Sequence, residues 1–123
     1  MAGSEQVVRE FCDAWSESDL ERIMGFFADD AVYHNIPMEP VVGTDAIRTF
    51  IEGFTAMVER IEFEIRHLAV NGDVVLTERV DTFVRSEGSV GLPVMGTFEL
   101  ADGKITAWRD YFDLAQVTAA FGG

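Results

Sequence analysis

The run Trp108-Arg109-Asp110-Tyr111-Phe112-Asp113 constrains the fold more than any other stretch of the chain. It follows an Asp102-Gly103 turn and Lys104-Ile105-Thr106-Ala107, so it reads as the last strand of an antiparallel sheet. Side chains alternate across a strand, which puts Thr106, Trp108, Asp110 and Phe112 on one face. The large aromatics must turn inward, and they carry Asp110 with them. An unpaired ionised carboxylate in such surroundings costs on the order of several kcal/mol. Any fold open to this chain must therefore bring a cation to Asp110 or leave a proton on it.

A chain of 123 residues is long enough for one real core, and residues 1–123 are read as a single domain. Hydrophobic content of 48% beside 25% charged residues is that of a globular protein. Apolar runs are short, and Met1 to Gln6 has neither a basic region nor an apolar core, so neither a membrane span nor a secretory signal is expected. Cys12 is the only cysteine, which excludes an internal disulfide and fits a reducing cytoplasm. A formal charge of −13 repels phosphate backbones and anionic lipid, so no nucleic acid and no membrane are expected as partners. A neutral small molecule suits such a surface better.

Val8, Phe11, Cys12 and Trp15 recur at helical spacing within Glu5 to Glu17. Ser18 with Glu21 three residues on matches a capping box and predicts a second helix, its inward face Leu20, Ile23, Met24 and Phe27, ending near Ala28-Asp29-Asp30. Ala31 to Ile36 alternates as a short strand stopped by Pro37. Gly43-Thr44-Asp45 supplies a turn and an N-cap for a third helix that would bury Ile47, Phe50, Ile51, Phe54 and Val58. Period-two segments then run from Ile61 to Val70, Val74 to Val84, Val90 to Leu100 and Lys104 to Phe112, with Asn71-Gly72-Asp73 as a hairpin turn. Leu114 to Phe121 closes the chain as a short helix ended by Gly122-Gly123. Helices first and strands after define the α+β class, with a curved sheet wrapped around the helices and a cavity open at one end.

Arg79 and Asp81 lie two apart on one strand face, and Asp110 needs a cation, which a planar guanidinium can share between two carboxylates. Tyr33 and Asn35 share another face, while His34 points the opposite way. Neither His34 nor His67 has a companion at metal-ligand spacing, and the chain has no Gly-rich phosphate loop, nucleophile elbow or Cys/His pair, so no metal and no cofactor are expected. Phe83, Leu92, Val94, Trp108 and Phe112 occupy inward faces of the strands, and with Trp15 of the first helix they are the candidate lining of an apolar pocket.

Together Tyr33-His34-Asn35-Ile36-Pro37, Arg79-Val80-Asp81 and Trp108 to Asp113, with Val42 to Ile47 ahead of the third helix, resemble the limonene-1,2-epoxide hydrolases, a branch of the nuclear transport factor 2-like cone fold. The resemblance implies an epoxide substrate and water as partners, no cofactor, and a homodimer formed through the outer sheet face. It implies that Asp110 activates water with help from Tyr33 and Asn35, that Asp81 protonates the epoxide oxygen, and that Arg79 links the two carboxylates. The residues suit this chemistry, because one Arg⁺ and two Asp⁻ sum to −1 and burial favours adding one proton. The sequence alone does not say which aspartate takes it. Tyr and Asp in an apolar cavity also equip a ketosteroid isomerase-like or polyketide cyclase-like enzyme, and the same fold hosts non-catalytic binding modules.

Overall fold

The computed structural model describes residues 3–121. Its elements are α1 (Ser4–Ser16), α2 (Leu20–Gly25), β1 (Phe27–Asn35), β2 (Val41–Val42), α3 (Thr44–Thr55), β3 (Arg60–Asn71), β4 (Val74–Arg85), β5 (Gly88–Ala101), β6 (Lys104–Tyr111) and α4 (Leu114–Phe121). The strands form one curved sheet in the order β2-β1-β6-β5-β4-β3. Every pairing is antiparallel except β1 with β6, which is parallel. Strand β6 is thus the last in sequence but lies inside the sheet, with antiparallel β5 on one side and parallel β1 on the other. Register shifts in β3 at Arg66, and in β6 at Thr106 opposite Glu99 and Leu100, are bulges that bend the strands around the helices.

The four long predicted strands hold to within a residue or two of each end, because alternation and turn chemistry agree. The strand expected at Ala31 to Ile36 instead begins four residues earlier, at Phe27, and the short β2 is unexpected. Asp102 and Gly103 both have positive φ, 52° and 76°, as a two-residue hairpin turn with the right twist requires. Asn71 pairs with Val74 and so ends β3, leaving Gly72 and Asp73 as the turn. The helix starts differ from expectation. Ser18 is left-handed (φ 58°), and Asp19 is the cap of α2, its side chain accepting from the Arg22 N–H. Helix α2 stops at Gly25 instead of running on to Ala28, and Phe27 is buried as the first residue of β1. Gly43 caps α3 without a side-chain hydrogen bond. The predicted ending at Gly122-Gly123 lies outside the described residues.

Helix α1 packs its apolar stripe into the concave face of the sheet. Phe11 is fully buried there and meets Trp15, Phe26, Phe27, Phe98 and Trp108 edge-on, with ring centroids 5.0–6.3 Å apart. Edge-to-face pairs contribute about 0.5–1.5 kcal/mol each beyond burial, so this cluster fixes α1 against the sheet. Strand parity sends Leu76, Met95 and Tyr111 to the convex face, where they remain 44–50% exposed. Among the described residues, no helix is long and apolar enough to cross a membrane.

Candidate active site

The site is built from residues facing one another across neighbouring strands. Tyr33, Trp108 and Phe98 are cross-strand partners on β1, β6 and β5. They stack face to face, Tyr33 on Trp108 at 4.1 Å and 5°, and Phe98 on Trp108 at 5.5 Å and 15°. Two residues further along the same face, Asn35 partners Asp110, Asp110 partners Gly96, and Gly96 partners Thr77 on β4. A polar rung thus sits directly beyond an aromatic one. Arg79 and Asp81 follow Thr77 on the same face of β4, opposite Val94 and Leu92.

Adjacent strands lie about 4.8 Å apart, so Arg79 must span on the order of 10 Å across β5 to reach Asp110. It does so with its side chain wholly buried. Its Nε and Nη2 donate to Asp81 Oδ1 and Oδ2 at 3.0 and 2.9 Å, and its Nη1 and Nη2 donate to Asp110 Oδ1 and Oδ2 at 3.2 and 2.8 Å. Nη1 also donates to Thr77 Oγ1 at 3.2 Å. These contacts occupy all five N–H donors of a guanidinium, with both carboxylates held in two-pronged fashion. The Phe63 ring lies 4.8 Å from the guanidinium carbon and closes one face of it. Trp108 Nε1 donates to Asp110 Oδ1 at 2.7 Å, so Asp110 accepts three N–H bonds to the two of Asp81.

Charge follows this geometry. Burial works against the Arg79 charge, but Asp110 and Asp81 outweigh it and raise the guanidinium's pKa above its ordinary value. Burial pushes the Asp81 carboxyl up to about 6, Asp110 adds to that, and Arg79 opposes both. Burial, then the Asp110 carboxylate, push the Tyr33 phenol up, so it stays neutral. Cys12 lies behind the site, and burial raises its thiol to about 12, which leaves no thiolate nucleophile at neutral pH.

A cavity of about 470 Å³ opens in front of the cluster, a size suited to a small organic ligand. Asp81, Asp110, Tyr33 and Asn35 face it, whereas Arg79 lies behind its carboxylates. Trp15, Phe83, Leu92, Val94 and Phe112 line it as the sequence predicts. Trp108 does not: it is enclosed between Tyr33 and Phe98 and reaches the site only through its indole N–H. Phe50 and Phe54 of α3, expected in the core, are only partly buried and form cavity wall, and Val117 and Phe121 of α4 join them. Thr77 and Phe63 also escape sequence reasoning as site residues, although Thr77 shares the Arg79 face by parity. His34 Nε2 is 2.9 Å from the Met38 carbonyl oxygen and His67 is on the surface, so neither enters the site. Among the described residues, no group of three or more His, Cys, Asp or Glu side chains is placed to hold a metal ion.

A curved sheet closed by helices over one apolar chamber is the architecture of nuclear transport factor 2-like proteins. One such protein of unknown function from Burkholderia pseudomallei superimposes with a TM-score of 0.88 over 100% of both chains at 18% identity, which speaks to the fold alone. Within that class the chain belongs to the limonene-1,2-epoxide hydrolase family, whose catalytic-domain model matches residues 2–121. Epoxide hydrolase EphG of Mycobacterium tuberculosis is 34% identical over 109 residues, covering 87% of this chain and 71% of that protein. The structure of an M. tuberculosis LEH-like epoxide hydrolase matches with a TM-score of 0.80 at 31% identity, over 96% of this chain and 84% of that one. Family membership makes this chain an epoxide hydrolase.

Proposed function

We propose that the chain adds water to a small apolar epoxide in one step and releases a vicinal diol. The observation that carries this reading is Arg79 held between two buried carboxylates that both face the cavity. The cluster sums to −1, and one proton neutralises it, which a buried site favours. Asp110 accepts more hydrogen bonds than Asp81, so the proton resides on Asp81. The resting cluster then holds an acid and a base at once.

Asp110 takes a proton from a water held by Tyr33 and Asn35. The water oxygen attacks an epoxide carbon, the carbon–oxygen bond breaks, and the leaving oxygen takes the Asp81 proton. The proton gained by Asp110 must return to Asp81 before the next turnover. Each proton transfer contributes roughly 10²–10⁴-fold to the rate. The apolar walls favour a terpene-, lipid- or cycloalkene-like substrate.

A single turnover in ¹⁸O-water with excess enzyme tests the one-step course. The label is expected in the diol during that first turnover. Unlabelled diol with label in the Asp110 carboxyl would instead indicate a covalent ester.

The acid carries its own pH signature. Asp81 must be protonated to act, and its pKa is raised to about 6, so activity is lost as pH rises through that value. The kcat/KM profile should fall tenfold per unit above pH about 6. Asp81→Asn should lower kcat by about 10²-fold and flatten that limb, because the titrating acid is gone. An unchanged limb in Asp81→Asn would move the acid role to another residue.

A further inference from the structure

We propose that Gly96 is a positioning residue: the missing side chain at this point of β5 is the slot in which the Arg79–Asp110 pair is seated. The proposal rests on the hydrolytic reading of the site and concerns what keeps its acid and base in register.

Glycine in the interior of a strand weakens it and marks a bulge or a close approach. Gly96 has no positive φ and lies in unbroken register, paired with Asp110 on one side and Thr77 on the other. Neither backbone conformation nor a bulge explains it. Space does. A Cβ at this position would overlap Arg79 Nη1 and would lie 2.7 Å from Asp110 Oδ1 and 3.0 Å from Thr77 Oγ1.

Strand β5 separates the two carboxylates, with Asp81 on β4 and Asp110 on β6. The guanidinium can bridge them only by lying flat across the β5 backbone, and the one residue under its Nη1 is Gly96. Thr77 closes the slot from β4, accepting from Arg79 Nη1 and donating to the Gly96 carbonyl at 3.4 Å. Trp108 closes it from β6 through its bond to Asp110 Oδ1. Any added carbon must therefore displace the fork, Asp110, or both. A misplacement of about 1 Å in reacting groups costs on the order of 10²-fold in rate.

Gly91 on the same strand provides a control. A Cβ there meets the side chain of Val80 at 3.2 Å and comes no closer to anything else. Gly91→Ala is expected to keep full activity.

The test is Gly96→Ala, read by turnover of a cyclic epoxide and by the indole N–H resonances in a ¹H–¹⁵N spectrum. The chain has two tryptophans, and Trp15 Nε1 has no hydrogen-bond partner among the described residues, whereas Trp108 Nε1 donates to a carboxylate. The two signals should be well separated, and Trp15→Phe assigns them. Expected in Gly96→Ala are an upfield shift of the Trp108 signal and a kcat at least about 10²-fold lower, with KM changed less than about threefold. A folded Gly96→Ala with the Trp108 signal unmoved and kcat intact overturns the proposal.

If Gly96→Ala does not fold, the same change is made in Arg79→Met/Asp110→Ala at pH 4.5, where neither the guanidinium nor the Asp110 carboxylate occupies the slot. The triple variant should then melt at the temperature of Arg79→Met/Asp110→Ala. A triple variant that still fails to fold, on a double background that folds, places the defect in the strand itself and overturns the slot. The indole shift and the melting comparison need no substrate, so they stand apart from any failure of the epoxide reading, which absence of wild-type turnover on cyclic epoxides would reveal.

Discussion

Asp110→Asn is expected to lower kcat by about 10⁴-fold, the upper end of what a single proton-transferring group contributes. The reason is that one substitution removes both halves of the chemistry. The asparagine cannot take the proton from water. It also changes the charge of the cluster: Arg79 then faces Asp81 alone, the pair is neutral without any proton, and the repulsion from Asp110 that helps raise Asp81 is gone. Asp81 gives up its proton at lower pH, so the acid is lost along with the base. Asp81→Asn should be the milder change, because it leaves Asp110 ionised beside Arg79 and removes only the acid. The fold of Asp110→Asn should persist, at a cost of about 1–3 kcal/mol for a donor on Arg79 or Trp108 left without its acceptor. Steady-state kinetics of both variants on one cyclic epoxide, with thermal melts alongside, make the comparison. Asp110→Asn retaining more than a tenth of wild-type kcat would remove Asp110 from the base role.

The Arg79 cluster was legible in the sequence for an energetic reason. Strand parity forces Asp110 inward with Trp108 and Phe112, and a buried carboxylate demands a cation; that demand, and not the mixed periodicity of its own strand, turns Arg79 inward with Asp81 two residues on. Parity says which face a residue occupies, but not what lies beyond that face. Trp108 shows the limit: it shares the Asp110 face, yet Tyr33 and Phe98 cover both sides of its ring, so it is framework and not cavity wall. Phe50 and Phe54 show the converse. Their spacing marks the apolar face of α3, and an apolar face reads the same over packed side chains as over a void. The α2–β1 boundary failed because Ile23, Met24 and Phe27 keep helical spacing across a true chain turn, while exposed Asp29 and Asp30 interrupt the alternation that would have announced a strand. Gly96 carried a usable signal, since a glycine inside an otherwise strong strand asks for a reason.

Arg79→Met is expected to be the most destabilising of these changes, and its size should depend on pH. The guanidinium is the common partner of two carboxylates that are 3–4% exposed. Removing one member of a buried ionic cluster costs about 3–5 kcal/mol, because the remaining charges stay buried. For a chain of this length that is a fall in Tm on the order of 15 °C at pH 8. Without its cation, Asp81 is raised further above its unfolded value, because Arg79 is what opposes burial in the wild type. A raised group costs nothing below the unfolded value of about 4, costs more as pH rises through the interval, and costs its full amount above the folded value. The wild type already shows a smaller version: Asp81 moves from 3.8 to about 6, worth about 3 kcal/mol at 1.36 kcal/mol per unit. Melting curves at pH 4.5 and pH 8 should therefore show Arg79→Met close to wild type in acid and far below it in base. An equal loss of Tm at both pH values would mean that Arg79 holds the sheet by packing over Phe63 and the β5 backbone, with its charge incidental. Lysine is no substitute in this comparison, because a single ammonium has too few donors to hold two carboxylates by both oxygens each. The cation behind the acids thus does two things with one side chain: it makes burial of the pair tolerable, and by leaving the cluster one charge short of neutral it makes room for the proton that the reaction uses.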